Sequence, residues 1–306
     1  FHGKLIGRVA LATAQRVEQI LQETHAARID LTRRQRADVL LAMADAIDAR
    51  RDEVARMITD EAGLCLKDTT YEAGRVGDVL RFSAARSLED DSEVYPCDIT
   101  PHGRSRRIYT MREPLRLACA ITPFNHPMNQ VVHKVAPAIA VGTPVVLKPS
   151  EKTPLSAYWL AQLALDCGLP DNAFNVVNGD LAQIAPLLVQ GEHVEMVTFT
   201  GSSTVGRQIA ADAGYKRLIL ELGGSSPLLV LEDADVEEAV DIAMENNLGL
   251  HTARLDTQIQ TSQVAAEKAR FGRSLTGGVF HQSDRAPSIS TLEQVQNTTS
   301  NSQALT

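Results

Sequence analysis

The chain has 306 residues, of which 44% are hydrophobic and 22% charged, with a formal net charge of −8. This length and composition fit a globular protein of about two domains. The acidic balance argues against a dedicated nucleic-acid-binding protein, which would be basic, so we expect no nucleic-acid partner. No apolar run reaches the roughly 18 residues of a membrane span, and no signal peptide opens the sequence. We therefore expect a cytoplasmic location and no membrane partner.

Four cysteines are present, Cys65, Cys97, Cys119 and Cys167. They are scattered and include no CxxC pair, which argues against both a zinc site and a disulfide framework. We predict no metal. All four lie in the first 167 residues.

The beginning of the chain combines a strand-like segment with helix signals. The sequence starts at Phe1 and runs into the strand-like segment Lys4–Ala10, which we interpret as a truncated start. Thr13 and Thr32 precede apolar residues at helical spacing, and Thr32 forms a capping box with the Gln three residues later. A third helix is predicted from near Asp52 to Gly63, where a glycine can adopt the left-handed closing turn.

The segment from Pro101 to Pro114 is polar and basic and has the pattern of an exposed strand. Its characteristic residues are Arg104, Arg106, Arg107, Ile108 and Tyr109. Two interpretations are open: a solvated edge strand, or a hairpin used in oligomerisation.

Short apolar strands then alternate with helical runs. The strands are predicted at Leu117–Ile121, Pro144–Leu147, Phe174–Val177, Met196–Phe199, Leu218–Glu221 and Pro227–Leu231, and the helices at Pro154–Cys167, Asp180–Gln190 and Val205–Ala213. Such alternation predicts an α/β fold, a doubly wound parallel sheet with flanking helices. In these sheets ligands bind beyond the carboxyl ends of the strands.

After Gly249 the composition changes. Residues 251–306 lack strong periodicity and are rich in Ser, Thr, Gln and Asn, a composition that buries too little apolar surface to offset the entropy of ordering. We predict a poorly ordered tail with at most one helix, near Gln258–Arg270.

Two segments at strand ends can contact a nucleotide. Gly201–Gly206 follows a strand and opens a helix, the geometry in which free backbone N–H groups face an anion; the alternative is a structural turn. Lys148 and Glu151 follow another strand, where their side chains can bond ribose hydroxyls; the alternative is a solvated turn.

Two further segments can act in catalysis. Asn125 follows a buried strand, where its side-chain N–H can stabilise an oxyanion; the alternative is a turn-forming Asn. Glu221 ends an apolar strand ahead of two glycines and can act as a general base; the alternative is a salt-bridged structural Glu.

Over residues 4 to 249, the order and spacing of these four segments resemble the aldehyde dehydrogenase superfamily. The resemblance implies a dinucleotide-binding domain (1–95 and 114–224), an oligomerisation hairpin (96–113) and the start of a catalytic domain (225–250), most of which is missing. It further implies a homo-oligomer in the full-length family.

The resemblance also implies roles for individual residues. Asn125 is then the oxyanion donor and Glu221 the general base that activates the deacylating water. The residues implied at the cofactor are Thr122, Pro123, Lys148, Ser150, Glu151, Gly201, Ser202, Leu222 and Gly223. Because Glu151 would repel a 2′-phosphate, we expect NAD in preference to NADP.

The substrate-binding residues come from a closer resemblance to phosphonoacetaldehyde dehydrogenases. It rests on Gly63–Cys65, Tyr71–Val76, Pro101–Gly103, Arg112–Pro114 and Phe124–Gln130. In that subfamily Arg75 and His126 are expected to hold the anionic end of a small aldehyde, since Arg binds phosphonate oxygens through a bidentate fork. The alternatives are an ordinary helix-surface cation for Arg75 and, for the substrate, lactaldehyde or glyceraldehyde 3-phosphate.

The sequence departs from the family at the nucleophile. The reaction needs a cysteine thiolate, which the resemblance places near Leu255, yet residues 168–306 contain no cysteine. We interpret the change after Gly249 as a truncation, a frameshift or a chimeric join, and expect the chain as given to be inactive. The alternative function is a non-catalytic dinucleotide-binding or interaction module.

Overall fold

The structure is a computed structural model that describes residues 5–89 and 91–224 together with Asp235 and Glu237. The predicted strand Pro227–Leu231 and helix Gln258–Arg270 lie outside the described residues. So do the tail at 251–306 and, apart from Asp235 and Glu237, the predicted start of a catalytic domain at 225–250.

The described elements comprise eight α-helices and seven strands. The helices are α1 (Ala14–Ala26), α2 (Arg33–Ala49), α3 (Arg51–Ala62), α4 (Leu66–Ser87), α5 (Pro127–Val141), α6 (Leu155–Asp166), α7 (Leu181–Gln190) and α8 (Ser203–Asp212). The strands are β1 (Val94–Tyr95), β2 (Ile108–Tyr109), β3 (Ala118–Ile121), β4 (Val145–Lys148), β5 (Phe174–Val176), β6 (Met196–Thr200) and β7 (Arg217–Glu221).

Strands β3 to β7 form one parallel sheet in the order β5-β4-β3-β6-β7. Ala118 pairs with Val145 on one side and with Met196 on the other, so β3 is central. The chain winds outward from β3 through β4 to β5, then crosses back to β6 and β7. The predicted doubly wound sheet is confirmed, and the winding direction reverses between β3 and β6.

Each face of the sheet has its own hydrophobic core, because successive strand residues point to opposite faces. Ala118 and Ala120 pack with buried residues of α2 to α6. Cys119, between them, packs with buried residues of α1, α7 and α8. Helices therefore cover both faces, as the continuous apolar runs of the strands predict.

The predicted helix signals are confirmed. Thr13 accepts a hydrogen bond from Arg16 N at the start of α1, and Thr32 and Gln35 form the reciprocal capping box of α2. Helix α3 ends at Gly63, whose φ of 73° is the left-handed conformation expected for a closing glycine.

Helix α5 was not predicted, and α4 was anticipated only in the interpretation of Arg75 as a helix-surface cation. Helix α5 carries Pro127 at its first turn and Pro137 inside it, so prolines that look like interruptions in the sequence are accommodated within a helix. Among the described helices, none is long and apolar enough to cross a membrane.

One strand prediction is wrong, and a second is wrong in extent. Residues 5–10 of the predicted strand Lys4–Ala10 form no strand, because no described strand pairs with them. In the segment Pro101–Pro114, only Ile108–Tyr109 is strand, paired antiparallel with Val94–Tyr95. Pro101 instead begins a single 3-10 turn that ends at Gly103, since proline has no N–H for a ladder.

Candidate functional site

The site predicted from sequence lies along one edge of the sheet. In a parallel sheet the carboxyl ends of all strands lie at the same edge, and the crevice at the reversal point is where ligands bind. That crevice lies between the ends of β3, at Ile121, and β6, at Thr200. Of the residues predicted from sequence, the structure places at this edge Thr122, Pro123, Asn125, His126, Lys148, Ser150, Glu151, Gly201, Ser202, Glu221, Leu222 and Gly223.

Direct contacts join neighbouring strand ends. Thr122 N donates to Lys148 O at 3.2 Å, and Gly201 N donates to Glu221 O at 3.1 Å. The Lys152 ammonium stands 4.5 Å from the centroid of the Phe124 ring. The loops after β3 and β4 are therefore packed together, as are the ends of β6 and β7.

Four of the described helices begin at this edge, and three of these have an acidic partner at their N-terminus. Glu72 accepts from two amides of α5, Glu61 from two amides of α6, and Asp180 from one amide of α7. The fourth helix, α8, is capped by the neutral Ser202, whose hydroxyl accepts from Val205 N, and has no acidic residue in its first turn. Since helix N-termini attract anions, α8 is the described N-terminus at this edge with its positive end available.

An ion pair follows β4. The Lys148 ammonium donates to Glu151 Oε1, and the Lys148 side chain is 5% exposed whereas that of Glu151 is 54% exposed. Burial alone would raise the pKa of Glu151, but the hydrogen bonds from Lys148 and from a backbone amide overcome this, so the pKa lies below its ordinary value. Glu151 therefore exposes a charged hydrogen-bond acceptor to solvent, next to the buried donor Lys148.

The end of β7 is connected to β6 through side chains. Thr200 Oγ1 donates to Glu221 Oε2 at 3.0 Å, and Glu221 is exposed. Lys134, buried on α5, donates to Thr198 Oγ1 at 3.2 Å. Burial lowers the pKa of Lys134, while the negative charge of Glu221 acts in the opposite direction. Sequence reasoning did not single out Lys134. The signal that could have indicated it is a Lys within the largely apolar segment 131–136.

The loop with Asn125 and His126 is held by a buried carboxylate. Glu72, on α4 and 1% exposed, accepts from Met128 N and Asn129 N, both at 3.0 Å, and lies 3.2 Å from His126 Nδ1. Burial raises the pKa of Glu72, against the lowering effects of these hydrogen bonds and of His126. Asn125 and His126 are both exposed at the carboxyl edge.

Arg75 lies on α4, three residues after Glu72, so the two are neighbours on the helix surface. Its guanidinium is 3.5 Å from Tyr71 Oη and is exposed. Burial lowers the pKa of His133 on α5, with Arg75 acting in the same direction and Glu221 in the opposite one. The structure thus brings Arg75 to the same helix pair as His126, and Glu72 is a residue that sequence reasoning missed.

Cys119 and Cys167 both lie away from the crevice. Cys119 is fully buried within β3, and burial raises the pKa of its thiol far above the ordinary value. Cys167 ends α6, which leads to the start of β5 and hence to the opposite edge of the sheet. Its pKa is raised by burial and by the charge of Asp166. Among the residues that the structure describes, no cluster of three or more His, Cys, Asp or Glu side chains is arranged to hold a metal.

The fold and the edge residues define an α/β protein with an available helix N-terminus at the reversal point of a doubly wound sheet. The chain belongs to the aldehyde dehydrogenase family, which matches residues 1–251.

Two curated relatives illustrate the family match. An aspartate-semialdehyde dehydrogenase from Pseudomonas canavaninivorans is 39% identical over 79% of this chain and 52% of its own length. A 3-sulfolactaldehyde dehydrogenase from Priestia aryabhattai is 35% identical over 83% of this chain and 55% of its own. The chain thus spans about half the length of these relatives.

Solved structures agree with this assignment. Aldehyde dehydrogenase 21 from Physcomitrella patens, in complex with the product succinate, has a TM-score of 0.70 and 32% identity, covering 73% of this chain and 47% of that one. A glyceraldehyde-3-phosphate dehydrogenase from Methanocaldococcus jannaschii, complexed with NADP, has a TM-score of 0.67 and 33% identity, covering 78% and 52%.

Proposed function

We propose that this chain supplies the dinucleotide-binding portion of an NAD(P)-dependent aldehyde dehydrogenase, with NAD preferred, and that the whole enzyme oxidises a small anionic aldehyde to a carboxylic acid. The observation that carries the proposal is the N-terminus of α8. It is the described helix end at the carboxyl edge without an acidic partner, and it stands at the reversal point of the sheet.

The residues around α8 fit a bound pyrophosphate. A Cβ at Gly201 would lie 2.5 Å from Cζ of Phe199, so the buried Phe199 ring leaves no room for a side chain at this turn. Thr122 Oγ1 and Ser203 Oγ are buried without a hydrogen-bond partner, one on each side of the crevice. The ribose next to the pyrophosphate would be held by Lys148 and Glu151 as donor and acceptor, with Pro123, Ser150, Leu222 and Gly223 beside the cofactor.

The chemistry assigned to this chain is limited to two residues. The Asn125 amide donates a hydrogen bond to the oxygen that becomes negative when the aldehyde carbon is attacked. The Glu221 carboxylate accepts a proton from the hydrolytic water, with Thr200 fixing Oε2 and leaving Oε1 for that water. The nicotinamide, when bound, supplies the hydride acceptor.

The substrate we propose is phosphonoacetaldehyde or a similar small anionic aldehyde. Arg75 and His126 are the side chains that would hold its charged end, because α4 presents Arg75 one turn from the Glu72 carboxylate that contacts His126. Relatives that act on aspartate semialdehyde and on 3-sulfolactaldehyde also take small aldehydes with an anionic group.

Cofactor binding is tested by placing a negative charge at the N-terminus of α8. Ser202→Asp keeps an effective N-cap, so the variant should fold at least as stably as wild type. We expect its affinity for NADH, measured by fluorescence titration of the 306-residue chain, to fall by about tenfold or more, because a like charge opposes the pyrophosphate. Thr32→Asp is the matched control, since α2 begins beside the carboxyl end of α5, where Arg36 Nε donates to Ala140 O at 2.9 Å. Equal affinity in wild type and Ser202→Asp would contradict the assignment.

Catalysis is tested by following reduction of NAD with phosphonoacetaldehyde. We expect no turnover from this chain, because residues 168–306 contain no cysteine and Cys119 and Cys167 have raised pKa values. Turnover that disappears in Asn125→Ala would overturn this expectation and would mean that another residue, with Cys119 and Cys167 as the first candidates, supplies the nucleophile.

The missing cysteine also favours a second candidate, a non-catalytic dinucleotide-binding module. Sequencing the gene beyond the codon for Thr306 separates the two. A continuing frame with a cysteine supports the enzyme, and a stop codon with NADH binding intact supports the module.

A further inference from the structure

We propose that Glu72 is a positioning residue that fixes the His126 ring and the loop bearing Asn125, with one carboxylate oxygen reserved for each task. The proposal rests on the function assigned above to Asn125 and His126. It adds a residue on a different helix to their machinery.

The two oxygens of Glu72 have different partners. Oε1 accepts from both Met128 N and Asn129 N at 3.0 Å, which satisfies the N-terminal amides of α5. Oε2 lies 3.2 Å from His126 Nδ1. The capping of α5 therefore uses one oxygen, and the second is directed at a side chain that the cap does not require.

Glu61 shows what a purely structural carboxylate looks like in the same protein. It caps α6 from α3, and both of its oxygens are used within that cap. Oε1 accepts from Leu155 N, and Oε2 accepts from Ser156 N and Ser156 Oγ. Glu61 and Glu72 thus share one task, but Glu72 alone of this pair has an oxygen facing a predicted substrate-binding side chain.

The backbone at His126 supports the same role. His126 has φ 50° and ψ 59°, a left-handed conformation that non-glycine residues adopt only where the surroundings enforce it. Glu72 contacts the ring of this strained residue and the two amides that follow it, those of Met128 and Asn129. Asn125 immediately precedes it, so the direction of its amide depends on the strain being held.

The consequence for the site is a defined orientation of the imidazole. With Nδ1 donating to Glu72, Nε2 is the nitrogen left to face a ligand, and the His126 side chain is 48% exposed. In this orientation the exposed edge of the ring carries Nε2, a nitrogen that can donate a hydrogen bond to an anionic group.

The wild-type test is the nitrogen NMR spectrum of the His126 ring in the 306-residue chain, assigned with His126→Gln. We expect Nδ1 to carry a proton, because Glu72 Oε2 is an acceptor. A bare Nδ1 at neutral pH would overturn the proposal, and this measurement requires no variant of Glu72 to fold.

The second test uses Glu72→Gln, which keeps an oxygen to cap α5 but removes the charge opposite His126. We expect the His126 ring signals to shift and the affinity for phosphonoacetate to fall about tenfold, with NADH affinity unchanged within about twofold. Glu61→Gln is the matched control and should leave both readouts unchanged. Unaltered His126 signals in Glu72→Gln would refute the proposal.

An incorrect substrate assignment and an incorrect positioning role for Glu72 give different experimental results. If wild type does not bind phosphonoacetate, the proposed substrate is wrong, and the His126 spectra still decide whether Glu72 positions the ring. If phosphonoacetate binds with equal affinity to wild type and Glu72→Gln, the substrate assignment stands and the positioning role fails.

Discussion

We expect the Glu151 side chain, which follows β4, to determine whether NAD or NADP is preferred. Glu151 is exposed and ionised beside the buried Lys148, so its carboxylate would accept from ribose hydroxyls and repel a 2′-phosphate. We expect Glu151→Gln to bind NADH more weakly and NADPH more tightly, which changes the ratio of the two affinities by about tenfold. Fluorescence titration with both nucleotides measures the ratio.

Glu192→Gln serves as the comparison for this change. Glu192 is 88% exposed and precedes β6, at the opposite edge of the sheet, so the same loss of charge there should leave the ratio constant. If both variants shift the ratio equally, net charge rather than the contact of Glu151 governs the preference.

Residues that act through local spacing were predictable, and residues that act across the fold were not. Glu151 follows its strand directly, and Thr32 and Gln35 are three residues apart, so the sequence shows both relations. Glu72 contacts an amide 56 residues away, and Lys134 a hydroxyl 64 residues away. No periodicity or turn signal records such pairs, which exist only once α5 is packed against α4 and against β6.

At the scale of elements, helices α5 and α6 depend on carboxylates from other helices for their N-terminal amides. A buried acidic cap satisfies the amides and complements the helix dipole, but ionising it costs desolvation energy. Burial raises the pKa of Glu61 above its ordinary 4.5, despite the opposing bonds from Ser156 and Leu155.

This raised pKa predicts a pH dependence of stability. Between pH 4.5 and the folded-state pKa, the folded protein holds a proton on Glu61 that the unfolded chain has lost. The free energy of unfolding therefore falls as pH rises through this window. Glu61→Gln removes the contribution, so wild type should lose stability relative to this variant from pH 4.5 to 7.5. Urea denaturation of both proteins across this range measures it, and parallel curves would contradict the assigned shift.

At the scale of the whole molecule, the sequence predicted the sheet because its strands are continuous apolar runs and its helices amphipathic ones. The strand order was not predictable from these patterns, since apolar runs do not encode which strand is central. Because the strands are parallel, their carboxyl ends lie at one edge of the sheet. The reversal between β3 and β6 places the crevice at that edge. Boundaries of the ribbon β1–β2 were also missed, because its exposed pattern departs from the alternation of a half-buried strand.

The ribbon β1–β2 and the residues next to it expose apolar side chains that predict self-association. Val94 and Ile99 are 82% and 83% exposed, and Tyr109 and Met111 are 64% and 68% exposed. A concentration of exposed apolar side chains in and beside one ribbon is typical of an interaction surface, and the family resemblance predicts oligomerisation there. We expect light scattering of the 306-residue chain to give a mass above the 33.2 kDa of one copy, and Val94→Lys with Ile99→Lys to reduce it.

Phe82→Lys is the control that makes this result specific to the ribbon. Phe82 is 76% exposed on α4, so the substitution adds the same charge at an equally exposed apolar position outside the ribbon. We expect its mass to equal that of wild type, because a charge weakens association only where it is buried between copies. A wild-type mass of one copy at every concentration, or an equal loss in Phe82→Lys, would show that the ribbon does not mediate assembly of this chain.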